Sequence, residues 1–298
     1  MQHSQSDPVR VPVGLLAGWG DYPLVVARGL QRAGYLVCCL GVLGHADPRL
    51  AEICHHFRWN GLARMGSAVR WFRRHGVSVA TMAGKIHKVL LFQRWVWLRN
   101  LPDLRAIRMF LPHFLTRRKD CRDDSLLSTV VEGFAAEGIR FVPATDFVPE
   151  LLARPGQLTS RGPTAAQQQD IAFGWRIAKQ LGQLDIGQSV AVKNQAVLAV
   201  EAIEGTDQCI RRAGQLCPSG EFTVVKVAKP HQDMRFDVPT VGLLTLETMV
   251  AAGARVLAIE AHRTIVLDEP AVRQFADRHR LVIVALENVS CGNKSVPQ

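Results

Sequence analysis

Acids, cations and hydroxyls concentrate in three stretches of the C-terminal half of this 298-residue chain. They are LDIGQSVAV with Gln188, the run VEAIEGTD from Val200 to Asp207, and KPHQDMRFDVPT from Lys229 to Thr240. Carboxylates beside Lys and Arg suit a phosphate ester held with a divalent metal: the carboxylates take the ion and the cations take the phosphate oxygens. In the last stretch Asp233, Arg235 and Asp237 alternate, so an extended chain puts all three on one side. Pro230 and Pro239 disfavour a helix there. Lys226 and Lys229 stand just upstream as further phosphate clamps. The plainer account of Arg235 and its acids is a surface ion pair, and His231 is expected to be a solvated neighbour. Asp207 follows Glu204 by three residues with Arg211 at i+4, so helical pairing of Asp207 with Arg211 is the plainer account at that point.

Two features of the N-terminal half add chemistry. Gly18-Trp19-Gly20 follows an apolar run and precedes a helical pattern opened by Pro23, a place where backbone N–H groups can approach a phosphate. A dinucleotide fingerprint wants a third small residue, then an acid about 20 residues on. Pro23 and Cys38-Cys39-Leu40 stand there instead, which argues against NAD. A simple tight turn is the competing reading. Asp123-Asp124 directly precedes a helical run, either as an N-cap or as a ligand for metal or substrate.

The elements that must position these residues alternate. Strands are expected at 11–16, 36–43, 77–83 and 139–142, with helices opening at Pro23 and covering 64–75 and 124–137. That order implies a doubly wound parallel sheet. LLARPGQLTSRGP (151–163) reads as a boundary, giving domains 1–152 and 153–298. Beyond it come a helix at 165–181, strands at 189–193 and 196–202 joined by an Asn194-Gln195 hairpin turn, and a short helix at 206–213. A strand at 223–227, then helix, strand, helix and strand at 244–252, 256–260, 271–279 and 281–286, complete a second α/β domain.

Composition sets the class. With 48% hydrophobic and 21% charged residues, the chain has ample material for a folded core. Net charge is +10, yet Lys85 to Arg122 alone holds ten Lys or Arg and two Asp, a local net of +8. Such an excess points to an anionic partner. Trp95, Trp97, Phe110 and Phe114 interleave with those cations, which suits the headgroup region of an anionic bilayer; a solvated helix face is the competing reading. No nucleic-acid motif accompanies the charge. Seven cysteines without CxxC or metal spacing read as reduced thiols of a cytosolic protein. The polar MQHSQSDPVR is no signal peptide, and no run of roughly 18 apolar residues exists to span a membrane. GxSxG, HExxH and Cys–His arrangements are missing, so serine or cysteine catalysis has no support.

GLLAGWGDYP (14–23), MAGKI (82–86), DDSLL (123–127), LDIGQSVAV (184–192), LAVEAIEGTDQCIRR (198–212) and KVAKPHQDMRFDVPTVG (226–242) together carry a family resemblance. The chain resembles the LpxI-type UDP-2,3-diacylglucosamine pyrophosphatases of lipid A biosynthesis. The resemblance implies a Rossmann-like N-terminal domain, a distinct C-terminal α/β domain and an active cleft between them. It implies hydrolysis of UDP-2,3-diacylglucosamine to UMP and 2,3-diacylglucosamine 1-phosphate (lipid X), a divalent ion such as Mg²⁺, and a homodimer. The enzyme would be cytoplasmic, peripheral on the inner membrane, with no nucleic acid as partner. Asp237 falls on the family's essential aspartate, with Asp207 as a second metal ligand. Substrate contacts fall on Gly18, Trp19, Gly20, Gly84, Lys85, Asp123, Asp124, Gln188, Thr206, Lys226, Lys229, Gln232 and Arg235. Trp19, Asp21 and Tyr22 depart from the family's usual small residue and leucine, and the stretch from Gly84 to Asp123 is longer and more basic than the family's. A hydrolase of another nucleoside diphosphate sugar, and a non-catalytic nucleotide- or RNA-binding protein, are the competing expectations.

Overall fold

The computed structural model describes residues 11–61, 63–85, 103, 123–230 and 232–287, with the backbone alone for 123–126. It divides into two units, Met1–Pro149 with Asp233–Asp237, and Glu150–Gln232 with Val238–Gln298.

The first unit runs β1 (Pro12–Ala17), α1 (Tyr22–Arg32), β2 (Leu36–Val42), α2 (Leu50–Ile53), β3 (His56–Asn60), α3 (Met65–Arg74), β4 (Val79–Ala83), α4 (Asp123–Ala135) and β5 (Arg140–Phe141). Its strands pair in parallel in the order β3-β2-β1-β4-β5. From β1 the chain winds outward to β2 and β3, then crosses to β4 and β5 on the other side. Right-handed crossovers in opposite directions put helices on opposite faces, the Rossmann arrangement. Val69 and Phe72 of α3 and Phe134 of α4 pack with Cys38, Leu40, Ala80 and Met82 of the sheet. Phe72 and Phe134 are fully buried, and each such side chain contributes roughly 1.5–3 kcal/mol. The edge strand β3 was not expected. Its HFRWN sequence is short and carries only two apolar residues, Phe57 and Trp59, and as an edge strand it leaves His56, Arg58 and Trp59 exposed.

The second unit holds β6 (Gly156–Gln157), α5 (Ala165–Gln183), β7 (Ser189–Lys193), β8 (Ala196–Val200), α6 (Thr206–Leu216), β9 (Phe222–Lys226), β10 (Thr240–Val241), α7 (Leu243–Ala252), β11 (Ala254–Glu260), β12 (Ile265–Val266), α8 (Glu269–Arg278) and β13 (Val282–Leu286). The sheet order is β6-β13-β11-β9-β7-β8, and β10 pairs with β12 apart from it. The three central strands β13, β11 and β9 are mutually parallel, while β7 runs antiparallel to β9 and β8. One face packs Ile171, Trp175 and Ala178 of α5 on Val190, Val192, Val225 and Val256. The other packs Ile210, Ala213, Leu246, Met249, Val272 and Ala276 of α6, α7 and α8 on Ala191, Val224, Leu257 and Ile283. Helix α5 starts in a capping box between Thr164 and Gln167, and α7 stops at Gly253 in the left-handed conformation.

The hairpin turn falls at Asn194-Gln195, both with positive φ (49° and 57°), as a two-residue turn between twisted strands requires. Buried Asp170 on α5 secures it by accepting from the Asn194 N–H (3.1 Å) and the Gln195 N–H (2.6 Å). No helix among the described residues is long and apolar enough to cross a membrane. Replacing Asp170→Ala strands two turn amides, so chemical denaturation is expected to show a loss of about 2 kcal/mol. An unchanged midpoint would remove Asp170 as the anchor of the hairpin.

Candidate functional site

In the first unit, the glycine turn after β1 and the turn after β4 lie against each other. Gly18 N–H donates to Ala83 O (2.8 Å) and Trp19 N–H to Lys85 O (2.8 Å), while Lys85 N–H returns to Trp19 O (3.0 Å). A Cβ on Gly18 would stand 2.7 Å from Lys85 O, and one on Gly84 would stand 2.8 Å from Trp19 O and Pro23 Cγ. Gly84 also has φ +91°. These glycines are required by the approach of the two backbones. The phosphate-cradle expectation is corrected at two positions, because the Gly18 and Trp19 amides are already spent on the neighbouring turn. Gly20 (φ +101°) completes the bend, and Lys85 is exposed beside it.

In the second unit, β7 starts and β8 and β9 end at the same edge of the sheet, because β7 is antiparallel to both. Ser189, Glu201, Thr206 and Lys226 converge there. Lys226 is 6% exposed and Glu201 7%. Lys226 Nζ donates to Thr206 Oγ1 (3.1 Å) and Thr240 O (3.0 Å). Thr206 Oγ1 donates to Glu201 Oε1 (3.1 Å) and lies 3.3 Å from Ser189 Oγ. A hydroxyl offers one proton and two lone pairs. With Ser189 as donor, all three are taken, so Thr206 acts here as the coupler between Lys226 and Glu201 rather than as a free ligand group. Glu201 was not singled out from sequence, yet its Oε2 is buried without a hydrogen-bond partner. Its one visible signal was an acid ending an apolar strand.

The loop after β9 is held from below. Buried Glu260, at the end of β11, accepts from Lys179 Nζ (2.7 and 2.6 Å) and from the Ala228 N–H (2.7 Å). Lys179 also donates to Ala228 O (3.3 Å). Above this tie, Gln232 Oε1 accepts from the Lys229 N–H (2.9 Å), and Gln232 Nε2 donates to Gln188 Oε1 (3.3 Å). Lys229 Nζ pairs with Asp185 at 2.7 Å. The structure thus brings Gln188, Gln232 and Lys229 together.

The next five residues correct the extended-strand expectation. Asp233 O accepts from the Phe236 N–H (3.3 Å) and the Asp237 N–H (3.0 Å), closing a turn over Met234–Phe236. Phe236 packs beside the α3–α4 core of the first unit, to which Asp233–Asp237 belongs. Arg235 Nε donates to both Asp233 oxygens (2.9 and 3.0 Å). Burial opposes ionisation of Asp233, but these hydrogen bonds and the Arg235 charge outweigh it and hold its carboxyl below the usual range. The pair therefore supports the turn above an ordinary carboxyl pKa of about 4 and loses that support as pH falls through the lowered value. Among the described residues no hydrogen bond or ion pair engages the Asp237 carboxylate. Of the two acids, Asp237 is the one with lone pairs to offer.

Asp207 opens α6 and accepts from Thr245 Oγ1 (3.3 Å). It does not pair with Arg211; instead Arg212 binds Glu204 (2.6 Å) and Val200 O (2.6 Å), pinning the loop before the helix. Helix α4 begins at Asp123. The basic segment, apart from Lys85 and Asp103, lies outside the described residues, as do His231 and the side chains of Asp123 and Asp124. Among the described residues no three His, Cys, Asp or Glu side chains gather. The Asp237 carboxylate, unengaged among the described residues, offers oxygen donors of the type that a hard divalent cation takes. The described cysteines 38, 39, 54, 209 and 217 are free and buried. Burial pushes the Cys209 thiol up to about 12, so it is inert as a nucleophile.

A Rossmann-type unit and a mixed α/β unit, with carboxylates and cations on the loops at strand ends, define a two-domain α/β protein. Family models sharpen this. The LpxI N-terminal domain matches residues 12–151 and the LpxI C-terminal domain residues 154–284. The chain is also 30% identical to the UDP-2,3-diacylglucosamine pyrophosphatase LpxI of Caulobacter vibrioides, over 92% of this chain and 97% of that protein. The chain belongs to the LpxI family.

The Lys179–Glu260 tie is expected to behave as a coupled pair. Glu260→Met alone leaves a partly buried ammonium unpaired and is expected to cost about 3 kcal/mol in denaturant melts. Adding Lys179→Met should restore much of that loss. A double variant no more stable than Glu260→Met would show that the two groups are not coupled.

Proposed function

We propose that this protein hydrolyses the pyrophosphate of UDP-2,3-diacylglucosamine, giving UMP and 2,3-diacylglucosamine 1-phosphate (lipid X), with Mg²⁺ as the divalent ion. The likeness to the Caulobacter enzyme along nearly its whole length carries this reading. The chemistry of the loops agrees with it. A pyrophosphate diester hydrolyses slowly because its negative charge repels nucleophiles, and preorganised cations lower that barrier.

Mg²⁺, when bound, neutralises phosphate charge and polarises the bond to be broken. Asp237 and Asp207 are the carboxylates assigned to it. Among the described residues Asp237 pairs with no cation, whereas Asp233 is occupied by Arg235. Arg235 presents a planar fork that suits two phosphoryl oxygens, and it exchanges Asp233 for substrate when it binds. Lys226 contributes a fixed positive charge at the N-terminus of α6, where the helix dipole adds to it. Glu201 and Thr206 hold that ammonium in one orientation, so it need not reorganise during the reaction. Lys229 and Gln232 set the conformation of the loop leading to Asp237. The reading includes a cytoplasmic homodimer that docks peripherally on the inner leaflet. Light scattering and co-sedimentation with anionic vesicles read those two parts, and a monomer that stays in the supernatant would remove them.

One assay separates this reading from another nucleotide-sugar hydrolase or a nucleotide-binding protein. Purified protein is incubated with UDP-2,3-diacylglucosamine or UDP-GlcNAc, each with and without Mg²⁺, and UMP is measured. UMP is expected from the diacylated substrate with Mg²⁺ alone. Equal release from UDP-GlcNAc, or none from either, would sink the assignment.

A further inference from the structure

A concavity of about 140 Å³ opens on the first unit between edge strand β3 and helix α3, lined by Arg58, Ser67, Arg70, Trp71 and Arg74. Its position is two strands out from β1, because β3 pairs only with β2 at the border of the sheet. None of its residues belongs to the loops assigned above. Arg70 and Arg74 sit at i and i+4 on α3, so they stand side by side and repel. Arg58 reaches the same cleft from β3 and donates to Ser67 Oγ at 2.9 Å. Among the described residues none of the three guanidiniums has a carboxylate partner. Elsewhere in the same unit Arg49 pairs with Asp47 and Arg73 with Glu137; Arg28, Arg32, Arg64 and Arg140 have no ion pair among the described residues, but they do not line this cleft. The Asp103 carboxylate is turned to the Ser67 N–H (3.1 Å).

Arg74 gains from its place in the last turn of α3, where a cation meets the negative end of the dipole. That accounts for neither Arg70 nor Arg58. Three clustered guanidiniums that are paired with no acid among the described residues raise the local potential, and an anion seated among them lowers it. The size and donors of the cleft identify that anion. Guanidinium forks bind tetrahedral oxyanions two oxygens at a time, Ser67 Oγ supplies one further polar contact, and Trp71 offers an apolar wall. A small concavity takes one phosphoryl group rather than the extended backbone of a nucleic acid.

We propose that the Arg58–Arg70–Arg74 cleft is a second phosphate-binding site, taking a single phosphomonoester group. The group comes either from a soluble phosphate ester or from the headgroup of a phosphatidic acid in a bilayer. The site goes beyond the hydrolase reading and stands or falls apart from it, because its test reads binding and not turnover.

Full-length protein is titrated calorimetrically with glycerol 3-phosphate, and separately sedimented with phosphatidylcholine vesicles carrying phosphatidic acid. The wild type is compared with Arg58→Gln/Arg70→Gln/Arg74→Gln and with Arg28→Gln/Arg32→Gln/Arg278→Gln, which removes the same charge from other exposed positions. The first variant is expected to bind at least about tenfold more weakly in one arm, and the second to stay within about twofold. A loss in the solution arm assigns a soluble ester, and a loss confined to the vesicle arm assigns the lipid headgroup. No loss in either arm, no binding by the wild type, or an equal loss in the charge control would overturn the site.

Discussion

Glu260 lies at the end of the central strand β11, and its carboxylate is shared between Lys179 of α5 and the Ala228 amide just past β9. One buried ion pair thus joins a helix, a strand and the first residues of the polar loop. The loop carries Lys229, Gln232, Arg235 and Asp237 and contains two prolines, so no regular ladder holds it over these residues. Its starting direction depends on this tie. A buried pair contributes little net stability over apolar packing, but losing one partner is costly. That asymmetry makes it an effective way to hold a loop in one conformation.

A second buried polar group sits one strand away. Lys226, Thr206 and Glu201 form a chain in which the hydroxyl is donor to one neighbour and acceptor from the other. Charge is balanced within the chain, so the ammonium stays fixed at low cost in a place where water has been removed. A fixed cation at a helix N-terminus is an electrostatic feature that a phosphate ester can use without rearrangement of the protein. In the first unit the corresponding economy is geometric: Gly18 and Gly84 allow two turns to meet backbone to backbone.

Much of this was legible in the sequence, for physical reasons that differ from element to element. The parallel core strands read as continuous apolar runs because both faces are covered. The Asn194-Gln195 turn was visible as two polar residues joining two apolar strand runs; Asn tolerates the positive φ found there, while Gln195 gives no such signal. Strand β3 escaped because its polar–apolar alternation covers only five residues and just two apolar side chains, Phe57 and Trp59, at a solvent-facing edge. The Asp233–Asp237 stretch misled because its polar alternation fits a strand, while a local turn with an Asp233–Arg235 pair satisfies the same residues. The polar cluster itself was apparent from composition. The role of Glu201 was not, since only the fold shows that a strand-end acid points into the buried end of the sheet. The Gly18 turn was legible as a turn, but its amides are used by the turn after β4.

One carboxylate is central to the proposed chemistry. Asp233 and Asp237 flank the same turn, yet Arg235 occupies the first and leaves the second available. Release of UMP from UDP-2,3-diacylglucosamine, followed for folded Asp237→Asn and Asp233→Asn proteins with Mg²⁺ present, tests this most directly. The expected result is loss of turnover by about a hundredfold or more for Asp237→Asn, with a smaller loss for Asp233→Asn. Near wild-type turnover by Asp237→Asn, or an equal loss in both variants, would contradict it.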